Sequence, residues 1–329
     1  MDAMKTYYFL YTTILIIFLS ARGFCEENTP ADLPDNIDMP TELTTAKDND
    51  SLFISAFYLY KQNKLDSAET QLLELVSARP DHYRAHLLLG NIFSRKDIAD
   101  KAVFHYTRCI ELNPDLAQAY VNLGLHYSKQ DKLYKALEYL KEADRLDPYN
   151  FLTLFLIGDI YFRLGAYERA IKYFLDVREL NSTNVKNLLR LAECYQLKKE
   201  FEKEADIYKT ILTFKKMVII YYRLGLAMNA LGDTQGEINA YKEALELNPN
   251  EPDIIFNLGL AYYDTHQDEL ALQEFIKLTQ PDHTDPDALY YMAKIYIDQG
   301  NKYKAWELYE RLKTIDPEQA DEIYNDIKH

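Results

Sequence analysis

Glycine is scarce in this chain of 329 residues, which has only 10 against 28 tyrosines and 15 phenylalanines. A sequence so poor in the most flexible residue, and well supplied with Leu, Ala, Glu and Lys, favours helix. Cysteine is nearly absent: three residues cannot all pair within one chain, and their spacing fits no metal site. Cys109 and Cys194 fall inside amphipathic patterns and are expected to act as small buried hydrophobes. Basic charge is short as well, with 37 Lys and Arg against 52 Asp and Glu and a formal charge of -15. An acidic surface repels phosphate, which excludes nucleic acid as a partner. Catalytic signatures are missing too. The chain has no G-x-S-x-G, no phosphate-binding G-x-x-x-x-G-K, no H-E-x-x-H and no C-x-x-C, so neither enzyme activity nor a cofactor is expected. His82 and His86 stand four apart, but His86 occupies a core-facing phase with no third ligand nearby, and the pair reads as structural.

Long apolar runs are limited to one. Tyr7 to Gly23 follows a single Lys5 and is about as long as a signal-peptide core, short for a membrane span. Ala21 and Gly23 place small residues before a cleavage point, so residues 1–23 are expected to be an export signal, with an uncleaved anchor as the alternative. Cys25 is preceded by Phe24 and Arg22, a poor match to a lipidation site. An uncleaved anchor or a lipidated Cys25 is the only membrane attachment on offer. Residues 24–48, with Pro30, Pro34, Pro40 and many acids, cannot bury enough surface to offset ordering entropy and read as a flexible leader. Periplasm or cell envelope is the expected location. In a secretory lumen, the alternative, Asn181-Ser182-Thr183 would be a glycosylation acceptor.

What the chain does have is a period. Pro80, Pro114 and Pro148 recur every 34 residues, and so do Gly90, Gly124 and Gly158, and Ala102, Ala136 and Ala170. The phase resumes one residue early at Leu224-Gly225, then runs through Leu258-Gly259, Ala271 and Phe275 to Ala293, Ala305, Tyr309 and Pro317. Each unit reads as two helices and a tight turn. In the third, Asp115 is expected to cap a helix through about Lys129, and a second helix runs from about Leu133 to Leu146. Gly165, Gly232 and Gly300 occupy the inner turn, where a left-handed residue is convenient. Small residues such as Gly124 and Ala136 let the two helices approach, with Tyr127 and Leu140 filling the adjacent hollows.

A 34-residue helix-turn-helix of this pattern resembles the tetratricopeptide repeat. The resemblance covers 49–319 as eight units: 49–82, 83–116, 117–150, 151–184, 185–217, 218–251, 252–285 and 286–319. It implies an all-α, right-handed superhelix (an α-solenoid). The fifth unit departs from the pattern, with Ala192 for Gly, Glu204 in the Ala phase and a junction one residue short, where a change of curvature is expected. Residues 320–329 read as a capping helix, with Ile323 and Ile327 docking.

In the family the first helix of each unit lines a concave groove that holds a partner peptide. Carried over, the partner-binding candidates are Asn91, Asn122, Lys186, Arg190, Arg223 and Asn257, with Phe155 and Tyr222 as aromatic surface. Asn can bond a peptide backbone as donor and acceptor together, and Arg can hold a carboxylate with two bonds. The family's chaperone-tail clamp is incomplete, because Leu87, Leu152 and Leu156 replace its basic positions. The expected function is therefore a non-catalytic scaffold for a protein or peptide partner. The competing reading is a structural or self-assembling envelope component, or an accessory subunit, that uses Tyr58, Tyr139, Tyr173 and Trp306 as outer patches and leaves a homo-oligomer open.

Overall fold

The computed structural model describes residues 51–280 and 283–328. The expected signal peptide, Cys25 and the acidic leader lie outside the described residues. Seventeen helices follow in order. The first eight are α1 (Ser51–Lys61), α2 (Leu65–Ala78), α3 (Tyr83–Arg95), α4 (Ala99–Leu112), α5 (Ala117–Lys129), α6 (Leu133–Leu146), α7 (Phe151–Arg163) and α8 (Tyr167–Leu180). Next come α9 (Val185–Leu197), α10 (Phe201–Leu212), α11 (Val218–Leu231), α12 (Thr234–Leu247), α13 (Pro252–Asp264) and α14 (Asp268–Lys277). A two-stranded antiparallel ladder, β1 (Thr279–Gln280) with β2 (His283–Thr284), precedes α15 (Pro286–Asp298), α16 (Lys302–Leu312) and α17 (Pro317–Lys328).

Each odd-numbered helix up to α15 packs most closely on the even-numbered helix after it, and each hairpin stacks on the next, which makes an α-solenoid. The inner turns share one device. Asn63, Asp97, Asp131, Gly165, Lys199, Gly232, His266 and Gly300, all at the same phase, have φ between 56° and 74°. Only three are glycine. Asn, Asp and His tolerate this left-handed region best among the others, and Lys199 carries the larger strain.

The close approach within a hairpin is equally regular. A Cβ on Gly124 would lie 2.7 Å from Leu140 Cγ, and on Gly225 2.2 Å from Tyr241 Cε1. Ala102, Ala136, Ala170, Ala271 and Ala305 face inward and are fully buried. The same phase holds Glu204 in the fifth hairpin and Glu237 in the sixth, both buried.

Two local expectations are corrected, at Asp115 and at the outer aromatics, and one hairpin closes in its own way. Asp115 does not cap α5: Leu116 holds the N-cap position and makes no side-chain bond, whereas Asn150, Asn184, Asp233 and Asp285 do cap α7, α9, α12 and α15. The seventh hairpin closes with the β1–β2 ladder, because α14 stops at Lys277 and a proline at 281 has no N–H to continue a helix. Of the outer aromatics, Tyr139 and Tyr173 stack on Tyr127 and Tyr161, and Trp306 packs edge-on against Tyr309 and Tyr324 of the last helix. Tyr58 does face solvent, and so do Phe104, Tyr134, Tyr149 and Tyr303.

The first helices of the first five hairpins touch one another directly (α1 with α3, and so on to α9), which sets them on the inner side of the stack. At the short junction the arrangement shifts. There α10 packs on α11 more extensively than any other second helix packs on its successor. At the end, α17 packs on both α15 and α16, and Ile323 and Ile327 are buried.

Candidate functional site

The inner face is built from one stripe of each first helix. On α3 and α5 the stripe carries amides. Asn122 Nδ2 donates to Asn91 Oδ1 at 2.7 Å, Tyr106 Oη donates to the same oxygen at 2.7 Å, and Gln118 Nε2 donates to Asn122 Oδ1 at 2.6 Å. The two asparagines are thus joined across adjacent hairpins. Their oxygens are taken, and what they offer a partner is mainly N–H, so this end of the stripe is better suited to receive carbonyl oxygens than to pair with both edges of a peptide.

On α7, α9 and α11 the stripe becomes a chain of alternating charge. Arg190 Nε lies 3.2 Å from Asp159 Oδ1, and its Nη1 lies 2.8 Å from Glu193 Oε2. Its guanidinium also covers the Phe162 ring at 5.0 Å. Arg223 reaches Glu193 only at 3.9 Å, and its Nε has no acceptor. Behind it lies Glu204, whose Oε1 accepts from Tyr208 Oη at 3.2 Å and whose Oε2 has no donor. Burial pushes the Glu204 carboxyl up to about 7, against the pull of the Tyr208 hydroxyl and the Arg223 charge.

The sequence-predicted residues therefore divide. Asn91, Asn122, Arg190 and Asn257 are half-buried along the stripe, and Lys186 is exposed with its ammonium 5.2 Å from the Phe155 ring centre. Asn257 Nδ2 is turned to its own helix, donating to the Asp253 carbonyl at 2.6 Å and more weakly to Tyr222 Oη at 3.4 Å. Phe155, Tyr222 and Arg223 are corrected from groove surface to near-complete burial. Phe155 packs on Phe174 and Tyr222 on Tyr241, the rings that fill the hollow opposite each hairpin's glycine.

Sequence reasoning missed Glu237, which accepts two bonds of 3.0 Å from Asn229 Nδ2. Its signal was present: it stands twelve residues after Gly225, as Ala136 does after Gly124. His82 and His86 make structural contacts. His82 caps α3, and His86 Nδ1 lies 3.0 Å from His105 Nδ1 while its Nε2 faces the Pro80 carbonyl. Among the described residues no group of three or more metal-ligating side chains converges. Burial pushes the Cys109 and Cys194 thiols up to about 12, which keeps them protonated and unreactive.

Stacked hairpins with a polar stripe on the inner helices define an α-solenoid. Family models narrow this further. Four described as TPR or tetratricopeptide repeats match residues 56–104, 117–150 with 153–184, 225–266 and 287–318, and the chain carries tetratricopeptide repeats. Among curated proteins it is 32% identical over 112 residues to a photosystem I assembly protein Ycf3 of Rippkaea orientalis, covering 32% of this chain and 65% of that protein. It is 30% identical over 145 residues to a CTR9 homolog of Arabidopsis thaliana, covering 42% of this chain and 13% of that protein. Both alignments span less than two thirds of the relative's length. Among solved structures, the C-terminal part of a TPR repeat-containing protein of Cytophaga hutchinsonii aligns with a TM-score of 0.57 at 18% identity, over 82% of this chain and 98% of that one. PilW, a type IV pilus biogenesis factor, aligns with a TM-score of 0.50 at 15% identity, over 62% and 94%. At these identities the likeness shows the fold.

Proposed function

We propose that the eight hairpins act as eight tetratricopeptide units of one non-catalytic scaffold, which holds a segment of a protein partner along its inner stripe. The observation that carries this reading is the stripe itself. Polar side chains meet hairpin to hairpin, α3 with α5 and α7 through α9 to α11, in contacts that no hydrophobic core needs. The names of two similar proteins, an assembly protein and a biogenesis factor, agree with such a role. Export to the periplasm or envelope rests on Tyr7–Gly23 and belongs to the same proposal. The N-terminal sequence of the chain from its native host tests it, with a start near residue 24 expected.

The groove reading is tested by affinity capture with three proteins: the wild type, an Asn122→Ala/Lys186→Ala variant of the inner stripe, and a Tyr134→Ala/Tyr303→Ala variant of the second helices. A partner lost with the first variant and kept with the second supports the groove. The reverse result favours the structural alternative, for which Phe104, Tyr134 and Tyr303, at 61%, 78% and 82% exposure, are the motivating observation. That alternative also requires a mass that rises with concentration in light scattering.

A further inference from the structure

The inner helices are not electrically uniform. On α3, α5, α7 and α9 the basic residues are Arg84, Arg95, Lys129, Arg163, Lys186 and Arg190, against two carboxylates, Asp159 and Glu193. On α13, α15 and α17 the balance reverses to eight carboxylates against Lys294 and Lys328. Arg163 pairs with Asp131 from a turn and Arg190 with Asp159 and Glu193, and the contrast between the two sets is one of formal charge along the helices.

The acidic end is also aromatic. Tyr263 and Tyr291 sit half-buried with ring centres 5.3 Å apart, and Phe256 lies 6.0 Å from Tyr291. Carboxylates surround these rings. Burial first, then Asp298, Asp264 and Asp268, raise the Tyr263 phenol above its ordinary range, with Lys294 opposing. Burial, then Asp287, Asp264 and Tyr263, push Tyr291 up to about 12. The chain's own Lys294 shows what this environment holds: its ammonium lies here, 2.7 Å from Asp326 Oδ2. Carboxylates beside ring faces receive ammonium and guanidinium groups through charge-assisted bonds and cation–π contact.

We propose that the groove takes an extended, block-charged segment of a partner protein in one direction, its Lys/Arg-bearing end over α13, α15 and α17 and its acidic end over α3 to α9. This rests on the groove reading above and adds the chemistry and polarity of the ligand. A uniformly basic or acidic segment satisfies one end and is repelled by the other, and a reversed one is repelled at both.

The test uses fluorescence anisotropy at low ionic strength with two labelled peptides of one composition and about 20 residues, an extended reach of ~66 Å. One has a Glu/Ser block followed by a Lys/Ser block, and the other is its shuffled isomer. The block peptide is expected to bind about tenfold or more tightly, and to weaken as salt screens the charges. A photo-crosslinker at its Lys end is expected to mark α13–α17. Asp264→Asn/Asp298→Asn, checked by circular dichroism for an unchanged fold, is expected to lower affinity several-fold, and Tyr134→Ala to leave it unchanged. Equal binding of the two isomers, no binding of either, or crosslinks from the Lys end on α3–α9 overturns the proposal. If these peptides fail while a captured partner still depends on Asn122 and Lys186, the groove reading stands and the charge polarity falls.

Discussion

Replacing Glu204 with Gln probes the least conventional part of this core. The carboxyl stands where other hairpins place alanine, is 2% exposed, and has one oxygen without a donor. Its surroundings are the Tyr208 hydroxyl on its own helix and, from α11, the charge of Arg223, which Glu193 of α9 approaches in turn. Unfolded, the carboxyl ionises near 4.5, whereas folded it ionises near 7 because burial penalises its charge. The folded state therefore holds the proton more tightly. Below 4.5 both states are protonated and Glu204 carries no electrostatic penalty. Between 4.5 and 7 the unfolded chain releases a proton that the folded chain retains, and stability falls. Above 7 the loss is complete. At about 1.4 kcal/mol per pH unit, the window amounts to something on the order of 3 kcal/mol. Gln keeps the shape of the protonated acid and cannot ionise. The variant should therefore gain stability over the wild type as pH rises from 5 to 8, by up to about that amount. Urea unfolding followed by circular dichroism at pH 5, 6, 7 and 8 measures the difference, in which every other titration cancels. A wild-type-minus-variant difference that stays constant from pH 5 to 8 would refute the reasoning.

Other consequences are simpler to state. Gly225→Ala drives a methyl into the fully buried Tyr241 ring and should cost ~1–3 kcal/mol by overpacking, read as a fall in the melting temperature. Gly165→Ala meets nothing within 4 Å and should cost only the left-handed backbone strain, about 1 kcal/mol. Conversely, Lys199→Gly at φ 58° should stabilise by a few tenths to about 1 kcal/mol in the same assay, the relief of strain outweighing the added freedom of the unfolded chain. His105 runs opposite to Glu204. Burial, then the charges of His86 and Lys101, lower it from 6.5 to about 4, so the unfolded chain takes up a proton that the folded chain refuses. Stability should fall as pH drops from 6.5 towards 4, and His105→Phe, stacked on Phe93, should remove the His105 share of that fall in unfolding experiments at pH 7 and 5, leaving the share of His86 and His126, which burial also lowers.

The parts of the molecule governed by one residue at a fixed phase were legible in the sequence. The glycine–alanine approach, the inner turns at Gly165, Gly232 and Gly300 and the helix limits around Lys129 and Leu133 each follow from local sterics repeated along the chain. The candidate site was less so, because its geometry depends on contacts between hairpins. That Asn91 and Asn122 bond each other, and that Arg190 is shared by Asp159 and Glu193, requires knowing how far one first helix lies from the next. Phe155 and Tyr222 look like groove residues from their helix position, but their rings turn to the hairpin interior, where an aromatic partner and a missing Cβ leave room.

The segregation of charge along the inner helices needs an explanation that folding does not supply. A solvated ion pair on a helix surface contributes ~0–1 kcal/mol, and the buried packing of these hairpins is indifferent to its sign. Like charges gathered on neighbouring helices repel, so stability alone would favour mixing Asp and Lys over α13, α15 and α17 as both signs are mixed on α6, with Lys135, Glu138, Lys141, Glu142, Asp144 and Arg145. The second helices can mix their charges because nothing asks them not to. The inner helices carry a sign change instead, and the same stretch of chain holds the short junction, the underpaired Arg223 and the two buried glutamates. Charge arranged against the interest of the free fold is what a surface looks like when the opposing charges arrive with a partner.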